Sequence, residues 1–107
     1  MRYTITGRNI EITDGLKKAV EEKLHKLGKY FTEETEAKIT LSVQKEAHKI
    51  EVTIPTKQGL IRAEEVSGDM YVSIDKVEDI IERQIKKFKN KLVDKKQSSV
   101  SFSDFFI

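Results

Sequence analysis

The chain has 107 residues, no cysteine, and 20 Lys and Arg against 18 Asp and Glu, a formal net charge of +2. That length supports one domain with one modest core, and the lack of thiols excludes a disulfide framework, a thiolate metal site and a thiol nucleophile. With so many opposite charges nearly cancelling, any argument for an anionic partner has to rest on where the charges lie.

Mean hydropathy is −0.51, yet apolar residues recur at regular steps, which separates a folding sequence from a disordered polyelectrolyte. No apolar run approaches the length of a membrane span, and the opening MRYTITGRNIEIT lacks the charged-then-apolar order of a signal peptide. A cytoplasmic protein with no membrane partner is expected.

Residues 2–6 set Tyr3 and Ile5 against Thr4 and Thr6 and end at Gly7, the pattern of a strand. Thr13 and Asp14 both suit a helix N-cap, and Ile12 just before them can staple onto the first turn, so a helix begins near Gly15. Leu16, Ala19, Val20, Leu24 and Leu27 form its buried face, weakening at Gly28 and Lys29 before Tyr30 and Phe31. Lys18, Lys26 and Lys29 share one flank of that helix, with Lys23 at the edge of the apolar arc, Glu22 diluting the charge and His25 alongside.

After a polar connection over 32–35, Ile39, Leu41 and Val43 alternate with polar residues, and Ile50, Val52 and Ile54 repeat the pattern. These read as a hairpin whose turn holds Ala47 and His48, with Pro55 ending the second strand or at its rim because it has no N–H to give a ladder. Gly59 marks the next turn and residues 60–66 a fourth strand, with Ile61 and Ala63 opposed to Leu60, Arg62 and Glu64. Ser67, Gly68 and Asp69 break that strand and cap a long helix over 69–96.

In the long helix Met70, Ile74, Val77, Ile81, Ile85, Phe88 and Leu92 fall along one side. At about 100° per residue, Lys76, Arg83, Lys86, Lys87 and Lys91 gather on one flank with Asn90 among them. The acids Asp69, Asp75, Glu78, Asp79 and Glu82 lie in its first half, so the helix macrodipole alone accounts for part of this ordering.

The order β-α-β-β-β-α predicts a two-layer α+β sandwich over residues 1–97, with both helices on one face of a four-stranded, largely antiparallel sheet. The two basic flanks would then merge into one positive groove or ridge. Residues 98–107, a Ser-rich stretch with Phe102, Phe105 and Phe106, read as a truncated linker, or else as a tail that packs back or adds a strand to a sheet edge, in a neighbouring chain for instance.

No glycine loop cradles phosphate, and His25 and His48 stand apart from any metal or nucleophile spacing. Glu64, Glu65 and Asp69 read as a strand end that neutralises lysines or caps a helix rather than as an acid–base pair. The expectation is no enzyme and no cofactor. The basic helices, with Tyr71 beside them, suit phosphate contacts, and the absence of base-reading Arg, Asn and Gln favours an RNA shape over a DNA groove. Two alternatives stay open: a general double-stranded RNA-binding module, or a protein-interaction module acting through its sheet face or Phe-rich tail.

The runs ITGRNIEITDGLKKAVEEKLHKLGKYF and AEEVSGDMYVSIDKVEDIIERQIKKFKNK closely resemble the ribosome hibernation promoting factor family, also called ribosome-associated inhibitors or the sigma-54 modulation protein family. Gly7-Arg8-Asn9, Asp69-Met70-Tyr71, Ile74-Asp75, Arg83-Gln84 and Lys86-Lys87 carry the likeness most specifically. The resemblance implies a fold related to double-stranded RNA-binding domains. It also implies binding to small-subunit ribosomal RNA in the channel of messenger and transfer RNA, silencing translation in stationary phase or starvation. Carried over by position, the RNA-binding residues it implies are Lys18, Lys23, Lys26, Lys29, Arg83, Lys86, Lys87 and Lys91, with Arg8 from the N-terminal motif; Lys76 joins them from the flank of the helix. Long members continue into a C-terminal domain that pairs two ribosomes, which implies that this chain is the N-terminal domain of a long form, with homodimerisation through the tail or that further domain.

Overall fold

Each strand buries alternate residues and each helix one stripe, and these surfaces meet in a single layer. A computed structural model describes residues 1–57 and 59–96, with side chains as far as Lys87. The elements are β1 (Arg2–Arg8), α1 (Asp14–His25), a short 3-10 turn over Gly28–Tyr30, β2 (Glu36–Gln44), β3 (Ala47–Thr56), β4 (Gly59–Ser67) and α2 (Met70–Lys96). The sheet order is β1-β2-β3-β4. β1 pairs parallel with β2, Ile5 opposite Ile39, while β2, β3 and β4 form an antiparallel meander. α1 is the crossover that the parallel pair needs.

Both helices cover one sheet face, as their apolar stripes require. Leu16, Val20, Leu24 and Leu27 of the α1 region and Met70, Ile74, Val77, Ile81 and Ile85 of α2 join Ile39, Leu41, Ile50, Val52, Ile54 and Ile61 in one buried cluster. Burying one such side chain is worth about 1.5–3 kcal/mol, so this layer dominates the stability. Thr13 caps α1, its Oγ1 accepting from the Leu16 amide at 3.1 Å. Asp69 caps α2, its Oδ1 accepting from the Tyr71 amide at 2.9 Å. Ser73, fully buried beneath the first turns of α2, donates to the His48 carbonyl at 2.7 Å.

Two boundaries differ from the periodicity reading, and Pro55 takes the expected place at the rim of its strand. β1 runs on through Gly7 to Arg8 because its parallel register continues to Arg8 opposite Ser42. His48 lies in β3 between Val43 and Ser67 rather than in a turn. The turn is at Lys45 and Glu46, with Lys45 at φ 56°. Pro55 sits within β3, opposite Leu60, but the register with β2 stops at Thr53 opposite Lys38. On that side no ladder asks Pro55 for an N–H. Residues 97–107, with the expected tail, lie outside the described residues, and among the described residues no helix is long and apolar enough to cross a membrane.

Candidate nucleic-acid interface

α1 and α2 run side by side in the same direction. At their beginnings the Tyr71 hydroxyl stands over Gly15, 3.2 Å from where a Cβ would be. Further along, Lys23 of α1 forms an ion pair with Asp75 of α2. Between them opens a cleft of about 490 Å³, lined by Ala19, Lys23, Lys26, Tyr71, Val72 and Asp75 among others.

The sequence-predicted cations fall into distinct sets. The hydrogen bond and charge of Asp75 hold the Lys23 ammonium above the usual lysine range, and Lys23 in turn holds the Asp75 carboxyl below the usual carboxylate range. Lys26 is exposed in the cleft, where its charge is felt by Asp75 and Glu78. Lys18 turns the other way, 4.0 Å from Glu22 and beside Tyr3 and His25 on the β1 side of α1. Lys29, beyond the end of α1, stands 5.1 Å from the Tyr30 ring centroid, within the range of a cation–π contact.

On α2, Lys76, Arg83 and Lys87 are exposed at steps of seven and four, one ridge of a 3.6-residue helix. Among the described residues no carboxylate pairs with them. Lys86 points to a neighbouring flank, 3.6 Å from Glu82. Arg8 is exposed at the end of β1, where both helices begin, about 20 Å of helix away from Arg83. The Lys91 side chain, like that of Asn90, lies outside the described residues.

The helices are therefore juxtaposed as expected, but the cations do not form an unbroken strip. The flank of α2 toward α1 carries Asp75, Glu78, Asp79 and Glu82, and the last three bring carboxylate oxygens within 4.8 Å of one another. Burial, with Asp79 and Glu82 beside it, pushes the Glu78 carboxyl above its ordinary value while Lys26 opposes the shift. Lys23 meets Asp75 across the seam, Lys86 pairs with Glu82, and Lys26 acts on Asp75 and Glu78 through its charge without a close ion pair, so the longest run of unpaired positive charge among the described residues lies on the outer ridge of α2.

Glu64, Glu65 and Asp69 take the pairing and capping roles expected of them. Glu64 pairs with Lys49 at 3.4 Å, Glu65 accepts from the Val66 amide at 3.3 Å, and Asp69 caps α2. His25 is exposed in the last turn of α1, and His48 Nδ1 is buried without a hydrogen-bond partner among the described residues. The sequence reading undervalued the apolar end of the cleft, where Tyr71 is 51% and Val72 41% exposed. The available signal was two adjacent large apolar residues at a helix start, of which the buried stripe needs neither.

Comparison with known proteins agrees with this architecture. Residues 3–93 match the family model described as Sigma 54 modulation protein / S30EA ribosomal protein. The chain is 40% identical over 100 residues to a ribosome hibernation promotion factor of Deinococcus radiodurans, covering 89% of this chain and 52% of that one. Against the factor of the same name from Lactococcus lactis the identity is 42% over 109 residues, covering 99% and 59%. The chain thus spans about half the length of these relatives. Among solved structures, the Thermus thermophilus Protein Y N-terminal domain superposes with a TM-score of 0.75 at 38% identity, over 82% of this chain and 99% of that one. A ribosomal subunit interface protein from Coxiella burnetii, 24% identical with a TM-score of 0.74 over 84% of this chain and 99% of that one, shares the fold.

Proposed function

Because the chain belongs to the Sigma 54 modulation protein / S30EA ribosomal protein family, we propose that it is a ribosome-binding translation silencer, a binding protein and not an enzyme, acting in the cytoplasm. In this reading the helical layer occupies the messenger and transfer RNA channel of the small subunit and keeps the ribosome in hibernation. Pairing of ribosomes would fall to the further length that the relatives have.

The observation that carries the reading is the α2 ridge of Lys76, Arg83 and Lys87, exposed and without carboxylate partners among the described residues. Such cations release counterions when they meet phosphate and need no base-specific readout. Arg8, Lys26 and Lys29 are exposed too. If these six each neutralise one phosphate, affinity falls by about 4–5 log units per log unit of salt. Lys18, Lys23 and Lys86 would have to exchange a carboxylate for a phosphate, which makes them weaker contributors.

Sucrose-gradient sedimentation of the chain with purified small and large subunits, without messenger, tests this. Co-migration with the small subunit, displaced by messenger RNA and not by free duplex RNA, is expected. Equal competition by duplex would reduce the chain to a general double-stranded RNA binder.

A further inference from the structure

We propose that the cleft between α1 and α2 receives one unpaired RNA base, stacked on Tyr71 with its phosphate at Lys26; the proposal rests on the RNA-binding reading above and names what this part of the surface takes. The Tyr71 backbone is held by the Asp69 cap at 2.9 Å, and its side chain reaches across to Gly15, where a Cβ would crowd the hydroxyl at 3.2 Å. The ring is thus placed at the head of the cleft and still 51% exposed. Ala19 and the 41% exposed Val72 continue the apolar wall beside it.

A volume of about 490 Å³ is in the range of small-ligand sites. Its far end is charged. Lys26 lies seven residues from Ala19, about 10 Å along the helix, on the scale of one nucleotide from base to neighbouring phosphate. Lys23 is engaged by Asp75, whereas Lys26 forms no ion pair among the described residues and acts on Asp75 and Glu78 only through its charge, so Lys26 is the cleft cation placed to meet phosphate, while Glu22 on the rim repels the backbone elsewhere. An aromatic face with an apolar wall at one end and an ammonium outside any ion pair at the other suits a base turned out of a strand. A duplex keeps its base faces stacked and offers this cleft nothing.

Two measurements on the 107-residue chain decide it. In the first, hexaadenylate is titrated in while the tyrosine ring signals are followed by NMR, Tyr71 being assigned with Tyr71→Phe. Stacking shifts the Tyr71 ring upfield and leaves Tyr3 unmoved, and a 12-base-pair RNA duplex does not reproduce the shift. In the second, small-subunit affinity is measured for Tyr71→Ala, Tyr71→Leu and Tyr71→Phe. Ala and Leu weaken binding about tenfold or more at an unchanged salt slope, while Phe stays within about twofold of the parent. Leu retains an apolar contact near Gly15 and lacks a stacking face, so it separates stacking from folding if the Ala variant does not fold. A Tyr71 ring that saturating hexaadenylate leaves in place, an equal shift with duplex, or a Leu variant that binds like the parent overturns the proposal. If the parent chain ignores small subunits altogether, the silencer reading falls, and the hexaadenylate titration still decides the cleft.

Discussion

A Cβ at Gly7 would run into the Ile10 carbonyl oxygen and crowd the Ile12 side chain at 3.0 Å. Two residues on, Asn9 sits at φ 58°, a left-handed conformation that Asn tolerates better than most. The Gly7-Arg8-Asn9 motif thus divides: Gly7 and Asn9 serve the backbone, and exposed Arg8 is available to a partner. Gly7→Ala is expected to cost about 1–3 kcal/mol in chemical denaturation, as overpacking does, whereas Arg8→Ala should leave stability within about 0.5 kcal/mol and lower only RNA affinity. Glu78 titrates in the opposite sense to a stabilising carboxylate. Burial raises its pKa from 4.5 in the folded chain, so the native state holds its proton more tightly than the unfolded state. Glu78 therefore lowers stability as pH rises through the window between 4.5 and its raised value, and the penalty is relieved as pH falls back through that window. Glu78→Gln is expected to raise the thermal midpoint at neutral pH and to lose that advantage below the window; a midpoint lowered equally at all pH values would contradict it.

At the scale of elements, the buried stripe of each helix was readable because one face meets the sheet and the other meets water. Leu16, Val20 and Leu24 recur at helical steps, and all are buried. Leu24→Ala should cost about 2–5 kcal/mol in denaturant unfolding, and Thr13→Ala, which removes the α1 cap, about 0.5–2 kcal/mol. The hairpin turn was less readable. Lys45 adopts φ 56° where Gly, Asn or Asp usually stands, so nothing in the residue types marks it, and periodicity alone places the turn at Ala47 and His48. The charge pattern across the helix seam was not readable either. Helical wheels place Lys23 and Asp75 on their own helices, but that they meet depends on how far α1 is slid along α2. Packing on the sheet sets that offset, and with it the split between neutralised and free lysines.

For the whole molecule, the fold separates two electrostatic surfaces that a net charge of +2 conceals. The α1–α2 seam is a paired, near-neutral mixture, and the outer ridge of α2 is positive. That ridge is the central claim, and the salt dependence of small-subunit affinity tests it most directly. Arg83→Glu with Lys87→Glu should leave the unfolding transition nearly unchanged, weaken binding at least tenfold at moderate salt, and flatten the slope of log affinity against log salt by about 1.4–1.8, as the loss of two phosphate contacts requires. An unchanged slope with parental affinity would contradict the account, because the ribosome would then be held by some other face of the molecule.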